Sequence, residues 1–319
     1  MPSLDIVICT YNRAADLDRC LDALARQETA AGNWRVTVID NNCTDRTAEV
    51  VAAHARRGRI PHLTRRVERR QGLTPARQAG VRDSRADWIA FVDDDCLVGS
   101  TWIAAALEFA ASRPDAGGFG GRVRPDWGRS PPDYLARHAW LFAAQDHGDQ
   151  VRRVESLVGA GIVLNRRALG DTGWTAEPYL ADRTGLGHVS GGDVEICLRV
   201  TAAGRPLWYV PTMHIDHMIA RERQRMGDLV RLARGLGAGA ELVSLMGSPD
   251  PASWPQQTGA ILRREVRVHL ASTSYVLRGR YPWQDWLIRM AFLSGQRAQH
   301  RSLTHDARTR DRLGGVGAR

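Results

Sequence analysis

The segment Ile89–Ser100, "IAFVDDDCLVGS", joins four residues typical of a buried strand directly to three consecutive carboxylates, Asp93, Asp94 and Asp95. Adjacent like charges repel one another, and each carboxylate costs free energy wherever water is partly excluded. The three acids are therefore either solvated turn residues or the surroundings of a strongly positive group.

Strands and helices alternate along the chain around this segment. Apolar runs predict strands at Leu4–Cys9, at Trp34–Asp40 and immediately before Asp93, and amphipathic stretches between them predict helices. This alternation predicts an α/β fold with a mostly parallel central sheet flanked by helices. Ligands bind such sheets at the carboxyl ends of the strands. Polar clusters follow the first, second and fourth predicted strands, at Thr10–Arg13, Asp40–Asp45 and Asp93–Asp95. Their common position favours a binding site over a solvated turn.

The composition excludes several kinds of chemistry. All 44 basic residues are Arg, so a P-loop lysine and a lysine Schiff base are both excluded. The net charge of +9 is the one feature that suggests nucleic acid. Because the chain shows no recognised nucleic-acid-binding fold and no basic–aromatic stripe, we predict no nucleic-acid partner.

Cysteine usage and hydropathy predict a cytoplasmic protein. The five cysteines are scattered without the close pairs of a metal site, which is typical of small buried side chains in a reducing compartment. The chain begins without a signal-peptide pattern, and no apolar window is long enough to span a bilayer.

The character of the sequence changes near Ala220. Two apolar stripes at helical spacing, Met226–Ala233 and Trp283–Met290, predict a helical C-terminal extension over 220–319, with a frayed tail after about His300. Its Arg-rich helices could contact an anionic membrane surface at the inner face of the membrane, pack on the sheet, or form a homodimer.

Adjacent carboxylates after a buried strand suit a divalent cation. Hard oxygen ligands select Mg²⁺ or Mn²⁺, and these ions also bind substrate phosphates. A diphosphate held by such an ion is a good leaving group. The three acids therefore predict a metal and a nucleotide diphosphate as ligands.

Eight sequence blocks occur in a recognisable order: "VICTYNR", "VIDNNCTDRT", "GLTPARQAG", "WIAFVDDD", "FGGRV", "VGAGIVLNRRAL", "GGDVEICLRVTAAG" and "YVPTMHIDH". In these blocks, which cover roughly the first two-thirds of the chain, the protein resembles family 2 glycosyltransferases with the nucleotide-binding GT-A fold. The resemblance implies a GT-A domain over 1–219, made of a nucleotide-sugar half (1–121) and an acceptor half (122–219), followed by the extension at 220–319.

The resemblance also implies roles for individual residues. Asp193 would be the catalytic base, Asp40 would accept a hydrogen bond from the nucleobase, and Asp95, Asp93 and His217 would hold Mn²⁺ or Mg²⁺. Seven residues would bind the nucleotide sugar: Thr10, Tyr11, Arg13, Asp40, Arg77, Asp93 and Asp94. Two positions on the acceptor side depart from the family pattern, Gly192 where Glu is common and Gly161 where Asn is frequent.

Several of these residues also have an ordinary structural explanation. Asp45 and Glu195 are better explained as acids at helix starts. Arg77 could be a solvated helix residue, although its sequence block favours binding. For His217, the sequence supports a metal ligand and an ordinary strand histidine equally.

The predicted function is inverting transfer of a sugar from a nucleotide diphosphate sugar, with a UDP-sugar favoured. The acceptor would be a hydroxyl of a saccharide, a lipid-linked molecule or a natural product, as in polysaccharide biosynthesis. A sugar nucleotidyltransferase is a weaker alternative, because such enzymes generally need a Gly-rich first loop and a lysine. A non-catalytic nucleotide-sugar or polysaccharide-binding module would not need Asp193.

Overall fold

The computed structural model describes residues 2–29, 32–179, 191–246 and 282–305, with four isolated positions between 262 and 271. The strands are β1 (Leu4–Thr10), β2 (Trp34–Asp40), β3 (Thr64–Val67), β4 (Trp88–Phe91), β5 (Cys96–Val98), β6 (Gly118–Asp126), β7 (Arg152–Val154), β8 (Ile162–Asn165) and β9 (Leu207–Met218). The helices are α1 (Ala14–Leu24), α2 (Thr47–Arg57), α3 (Leu73–Asp83), α4 (Trp102–Ser112), α5 (Asp133–Arg137), α6 (Arg166–Asp171), α7 (Gly192–Ala202), α8 (Met226–Met246) and α9 (Trp283–His305). Short 3₁₀ helices cover Ala139–Phe142 and Arg221–Gln224.

The described strands form one sheet in the order β3-β2-β1-β4-β8-β6-β9-β5, with β7 also paired to β9. The first four strands in this order are parallel, as predicted. Beyond β4 the sheet is mixed, because β8 runs antiparallel to both β4 and β6, and β5 and β7 run antiparallel to β9. The short connection at residues 92–95 leads from β4 to β5, which pairs with β9 and not with β4. The prediction of a mostly parallel sheet therefore holds for the N-terminal half alone.

Helices cover both faces of the sheet. Successive residues of β1 point to opposite faces, so Ile6 and Ile8 pack in one apolar cluster with Leu17 of α1, while Val7 packs in the other with Ile196 of α7. Helix α2 ends at Gly58, which adopts the left-handed conformation common at helix ends. Helix α3 begins at Leu73, with Gly72 as its N-cap.

The C-terminal helices pack on each other and on the rest of the protein. Leu229 and Ala233 of α8 and Ile288 of α9 share an apolar cluster with Phe142. Asp285 of α9 also accepts hydrogen bonds from the side chains of Arg137 and His138. Of the three arrangements left open for these helices, the structure therefore shows contact with the protein's own main body.

Helix α9 continues past His300, where the sequence predicted fraying to begin. His300 is buried, and its Nδ1 lies 2.8 Å from the Glu241 carboxylate of α8. None of the helices that the structure describes has the length and apolarity needed to cross a bilayer. The part of the predicted tail after residue 305 lies outside the described residues.

Candidate active site

A cavity of about 570 Å³ opens where the chain leaves β1 and β4, at the carboxyl ends of two neighbouring parallel strands. Its volume is typical of a small-molecule site. Nine of the ten residues predicted for the site line it: Thr10, Tyr11, Arg13, Arg77, Asp93, Asp94, Asp95, Asp193 and His217. Residues more than 200 positions apart in sequence, such as Thr10 and His217, therefore meet at one edge of the sheet, and only Asp40 of the ten stands outside the lining.

Asp94 holds the acidic loop against the end of β1. Its carboxylate accepts a hydrogen bond of 2.7 Å from the Thr10 hydroxyl and one of 2.8 Å from the Arg13 guanidinium. Burial raises the pKa of Asp94 to about 7, although the charge of Arg13 opposes this rise. The middle acid thus serves to fix the loop, since its oxygens face neighbouring protein groups.

Arg13 lies among the acids. Its guanidinium is 2.8 Å from Asp94, 2.9 Å from Asp95 and, through Nε, 3.2 Å from Asp16. The family resemblance assigned Arg13 to the base and ribose pocket, and Arg13 does line the cavity. Its hydrogen bonds, however, go to carboxylates. Arg13, in the loop after β1, therefore supplies part of the positive charge that the three acids were predicted to surround.

The environment of Asp95 combines a histidine with two arginines. Burial raises its pKa, but the hydrogen bond and charge of His217, with the charges of Arg13 and Arg223, outweigh burial and hold the pKa well below its usual range. Asp95 is therefore a buried acid that keeps its negative charge.

His217 presents one ring nitrogen to that carboxylate. Its Nδ1 lies 2.8 Å from the backbone carbonyl of Phe142, and a carbonyl can only accept, so Nδ1 carries a hydrogen. Its Nε2 lies 3.3 Å from Asp95 Oδ2. Two electron-rich atoms so close need a proton or a cation between them. A metal-binding histidine usually donates the N–H of its other ring nitrogen to a carbonyl or carboxylate, as His217 does here.

Two of the three predicted ligands, Asp95 and His217, lie close enough together to hold a divalent metal. In the part of the chain that the structure describes, Asp95, Cys96 and His217 place possible ligand atoms within 4.8 Å of one another. Mn²⁺ and Mg²⁺ are hard ions that select oxygen ligands over the soft sulfur of Cys96. Asp95 and His217 therefore remain as the pair suited to Mn²⁺ or Mg²⁺.

Asp93 lies apart from this pair. Its side chain is 36% exposed, and its carboxylate lies 3.5 Å from the guanidinium of Arg77. Arg77 is itself buried and lies over the ring of Phe91. The predicted alternative of a solvated Arg77 is therefore wrong, and Asp93 and Arg77 form a charged pair inside the cavity.

The loop after β2 differs most from the prediction. The Asp40 carboxylate accepts hydrogen bonds of 2.7 Å from both the Cys43 N–H and the Arg65 guanidinium. Because β3 pairs beside β2, it brings Arg65 to this carboxylate. The neighbouring Asn41 lines the cavity instead and accepts a hydrogen bond from the Gly72 N–H. The predicted contact of Asp40 with the nucleobase stays a prediction, and Asn41 is a residue that sequence reasoning missed.

Asp193 lies in the first turn of α7. Its Oδ2 accepts a hydrogen bond of 2.7 Å from the Gly159 N–H, which fixes the orientation of the carboxylate. A Cβ at Gly159 would lie 2.8 Å from a guanidinium nitrogen of Arg77 and 3.3 Å from Asp193 Oδ2. A side chain at position 159 would therefore require the Arg77 guanidinium to shift.

Sequence comparison assigns the family. A model of "Glycosyl transferase family 2" matches residues 5–169, which is just over half of the chain. The protein belongs to this family. Validoxylamine A glucosyltransferase of Streptomyces hygroscopicus subsp. jinggangensis is 39% identical over 107 residues, which are 34% of this chain and 25% of that protein. The glucosyl-dolichyl phosphate glucuronosyltransferase of Haloferax volcanii is 25% identical over 164 residues, or 50% of this chain and 52% of that one. The matches thus span a quarter to a half of these relatives.

Solved structures agree on the fold. The mannosyltransferase PcManGT from Pyrobaculum calidifontis, in complex with GDP-Man and Mn²⁺, superposes with a TM-score of 0.65 at 17% identity, covering 94% of this chain and 87% of that one. S. aureus TarS 1-349 in complex with UDP-GlcNAc superposes with a TM-score of 0.53 at 13% identity, covering 95% and 92%. The protein therefore has the GT-A fold, as the resemblance implied.

One of the two acceptor-side departures from the family pattern has a local explanation. Gly161 has φ +83°, in the left-handed region that Gly, and next to it Asn, tolerates best. Gly192 begins α7, and Glu195 in the same turn is fully buried, paired with Arg199 at 2.9 Å. Glu195 is thus an acid at a helix start, as predicted, and a structural one.

Arg223 also lines the cavity and was not predicted. It comes from the 3₁₀ helix after β9, lies 3.1 Å from Asp95, and places its guanidinium over the ring of Phe142. The sequence signal was weak, because Arg223 is one of many arginines in an Arg-rich segment. Only the return of the chain along β9 brings it beside Asp95.

Removing the charge of Arg13 should destabilise the protein. Arg13→Met leaves Asp94 and Asp95 side by side with less compensating charge, and we expect the free energy of unfolding to fall by about 3 kcal/mol. Urea denaturation measures this change. The matched control is Arg19→Met, which removes an exposed partner of Asp16 and should cost less than about 1 kcal/mol. Equal effects of the two substitutions would show that Arg13 is not needed to hold the acids together.

Proposed function

We propose that this protein transfers a glycosyl group from a nucleotide diphosphate sugar to an acceptor hydroxyl, with inversion at the anomeric carbon. The observation that carries the proposal is a single cavity lined by the Asp95–His217 pair and by an oriented carboxylate, Asp193. Membership of glycosyl transferase family 2 supports the same reaction class.

The donor would bind along the carboxyl ends of β1 and β4. Thr10, Tyr11 and Asn41 line the part of the cavity formed by the first two strand ends and would contact the nucleoside. Arg77 and Arg223 are the cations best placed for the diphosphate, since both already pair with acids of the loop at Asp93–Asp95. A UDP-sugar is the favoured donor, in line with the UDP-GlcNAc complex of TarS, while PcManGT was solved with GDP-Man.

Asp95 and His217 would hold Mn²⁺ or Mg²⁺, with Asp93 towards the donor. Such an ion, when bound, supplies positive charge that stabilises the departing diphosphate. Mn²⁺ accompanies the nucleotide sugar GDP-Man in the PcManGT complex.

Asp193 would act as the base. The Gly159 N–H holds one of its oxygens, so the carboxylate is oriented before an acceptor arrives. The acceptor hydroxyl would give its proton to Asp193 as its oxygen attacks the anomeric carbon from the face opposite the nucleotide. One in-line displacement of this kind inverts the anomeric configuration.

The organisation of the chain follows from this assignment. Residues 1–121 would bind the nucleotide sugar, 122–219 the acceptor, and the extension at 220–319 would close the cavity while contributing Arg223. We place the protein in the cytoplasm, with contact to the inner membrane face or a homodimer through the C-terminal helices as further proposals.

Asp193→Asn should abolish turnover without abolishing donor binding. The amide cannot take up the acceptor proton, so we expect kcat to fall by about 10²- to 10⁴-fold. Release of UDP from a panel of UDP-sugars and acceptors measures kcat, and a thermal shift by UDP with Mn²⁺ measures binding. Asp171→Asn is the matched control, because Asp171 is an exposed acid on α6 outside the cavity. A fully active Asp193→Asn variant would remove Asp193 from the mechanism.

The stereochemical outcome tests the single displacement. An α-linked nucleotide sugar should give a β-linked product, because attack comes from the face opposite the leaving group. Proton NMR of the purified product reports the anomeric coupling constant. A product with retained configuration would rule out the in-line mechanism while leaving the transferase assignment intact.

Donor binding should require Asp95 and the metal together. We expect UDP to raise the apparent stability of the wild type in the presence of Mn²⁺, by about 2.7 kcal/mol at a hundredfold excess over its dissociation constant. Asp95→Asn should lose this Mn²⁺-dependent stabilisation. Asp16→Asn serves as control, since Asp16 also pairs with Arg13 but does not line the cavity. Equal stabilisation with EDTA would contradict the metal assignment.

A further inference from the structure

One part of the cavity lining, contributed by α8, α9 and the 3₁₀ helix at Ala139–Phe142, is apolar. It is formed by Leu236, Ala240 and Val243 of α8, by Phe292 of α9, and by Trp140 of the 3₁₀ helix. The three α8 residues are spaced by four and then three positions, so they share one face of the helix. We call these five residues the apolar wall.

The wall is continuous with the core but is not wholly covered by it. Leu236 and Phe292 pack on the cluster that contains Leu229 and Ile288, yet both stay half-buried at the cavity. Trp140 is 45% exposed, and its ring meets that of Phe292 edge-on at 5.6 Å. These contacts hold the wall in place as a preformed apolar surface.

Polarity divides the cavity in two. The charged groups lie on the sheet side, where Asp93, Asp95 and Asp193 are found, together with Arg223 at its rim. Among the described residues of α8 and α9, every side chain in the lining is apolar. A hydroxyl that loses water against such a surface gains no partner, which weakens binding. A saccharide lying along the wall would therefore bind poorly, whereas an alkyl or aryl group would be favoured.

We propose that the acceptor is amphiphilic, with its reacting hydroxyl beside Asp193 and an apolar alkyl or aryl aglycone against the apolar wall. This inference rests on the proposed function and specifies its acceptor class. The apolar body supplies the binding energy, and the sheet side of the cavity supplies the chemistry.

Binding of two matched glycosides tests the wall. The dissociation constants of octyl β-glucoside, kept below its critical micelle concentration, and of methyl β-glucoside are measured by calorimetry on the full chain with UDP and Mn²⁺. We expect the octyl compound to bind at least about tenfold more tightly, because its extra methylene groups are buried against the wall. Leu236→Asn should remove most of this preference.

Leu232→Asn is the matched control. Leu232 is half-buried on the same helix but does not line the cavity, so its substitution should preserve the preference for the octyl compound. Equal binding of the two glycosides by the wild type, or an unchanged preference in Leu236→Asn, would overturn the inference. Mn²⁺-dependent stabilisation by UDP is followed in the same samples. If UDP with Mn²⁺ does not stabilise the wild type, the proposed function itself fails. If UDP stabilises the wild type but the octyl compound is not preferred, only the proposed acceptor class is rejected.

Discussion

The contact between Arg13 and the acids after β4 is the constraint on which the site depends. A strand that ends in three consecutive carboxylates is electrostatically unfavourable, and Arg13 lies within 2.9 Å of two of them. Because Arg13 follows β1 and the acids follow β4, one guanidinium joins the ends of two neighbouring strands. Thr10 adds a second link through Asp94. The acidic side of the cavity is therefore stabilised by opposite charges of the protein itself, before any ligand binds.

The second constraint comes from β9 and the 3₁₀ helix that follows it. His217 faces Asp95 through one ring nitrogen and the Phe142 carbonyl through the other, and Arg223 reaches the same carboxylate. The region after β9 is thus more than an appendage, because it completes the electrostatic environment of the acid that would hold a metal. It also carries α8 and α9 over the cavity, where they contribute its apolar side.

Much of the site could be predicted because strand ends in a parallel sheet lie at one edge. The clusters at Thr10–Arg13 and Asp93–Asp95 follow adjacent parallel strands, so their meeting follows from topology. The assignment of Asp40 was harder, because whether a side chain faces a cavity depends on the neighbouring strand. Arg65 of β3 takes up its carboxylate, and Asn41 lines the cavity instead. Likewise, the role of Arg13 depends on a distance that spacing in sequence does not contain.

From the amino-acid sequence alone, the α/β class, the parallel N-terminal strands and the family could be predicted, and nine of the ten residues predicted for the site line the cavity. This information comes from local hydrophobic periodicity and short motifs, both of which depend only on residues close together in sequence. The mixed second half of the sheet, the pairing of Asp95 with His217 and Arg223, and the apolar wall became visible in the three-dimensional structure alone. These features arise from contacts between segments distant in sequence, such as β6 with β8 and Asp95 with Arg223, and such contacts depend on how layers pack rather than on any local pattern.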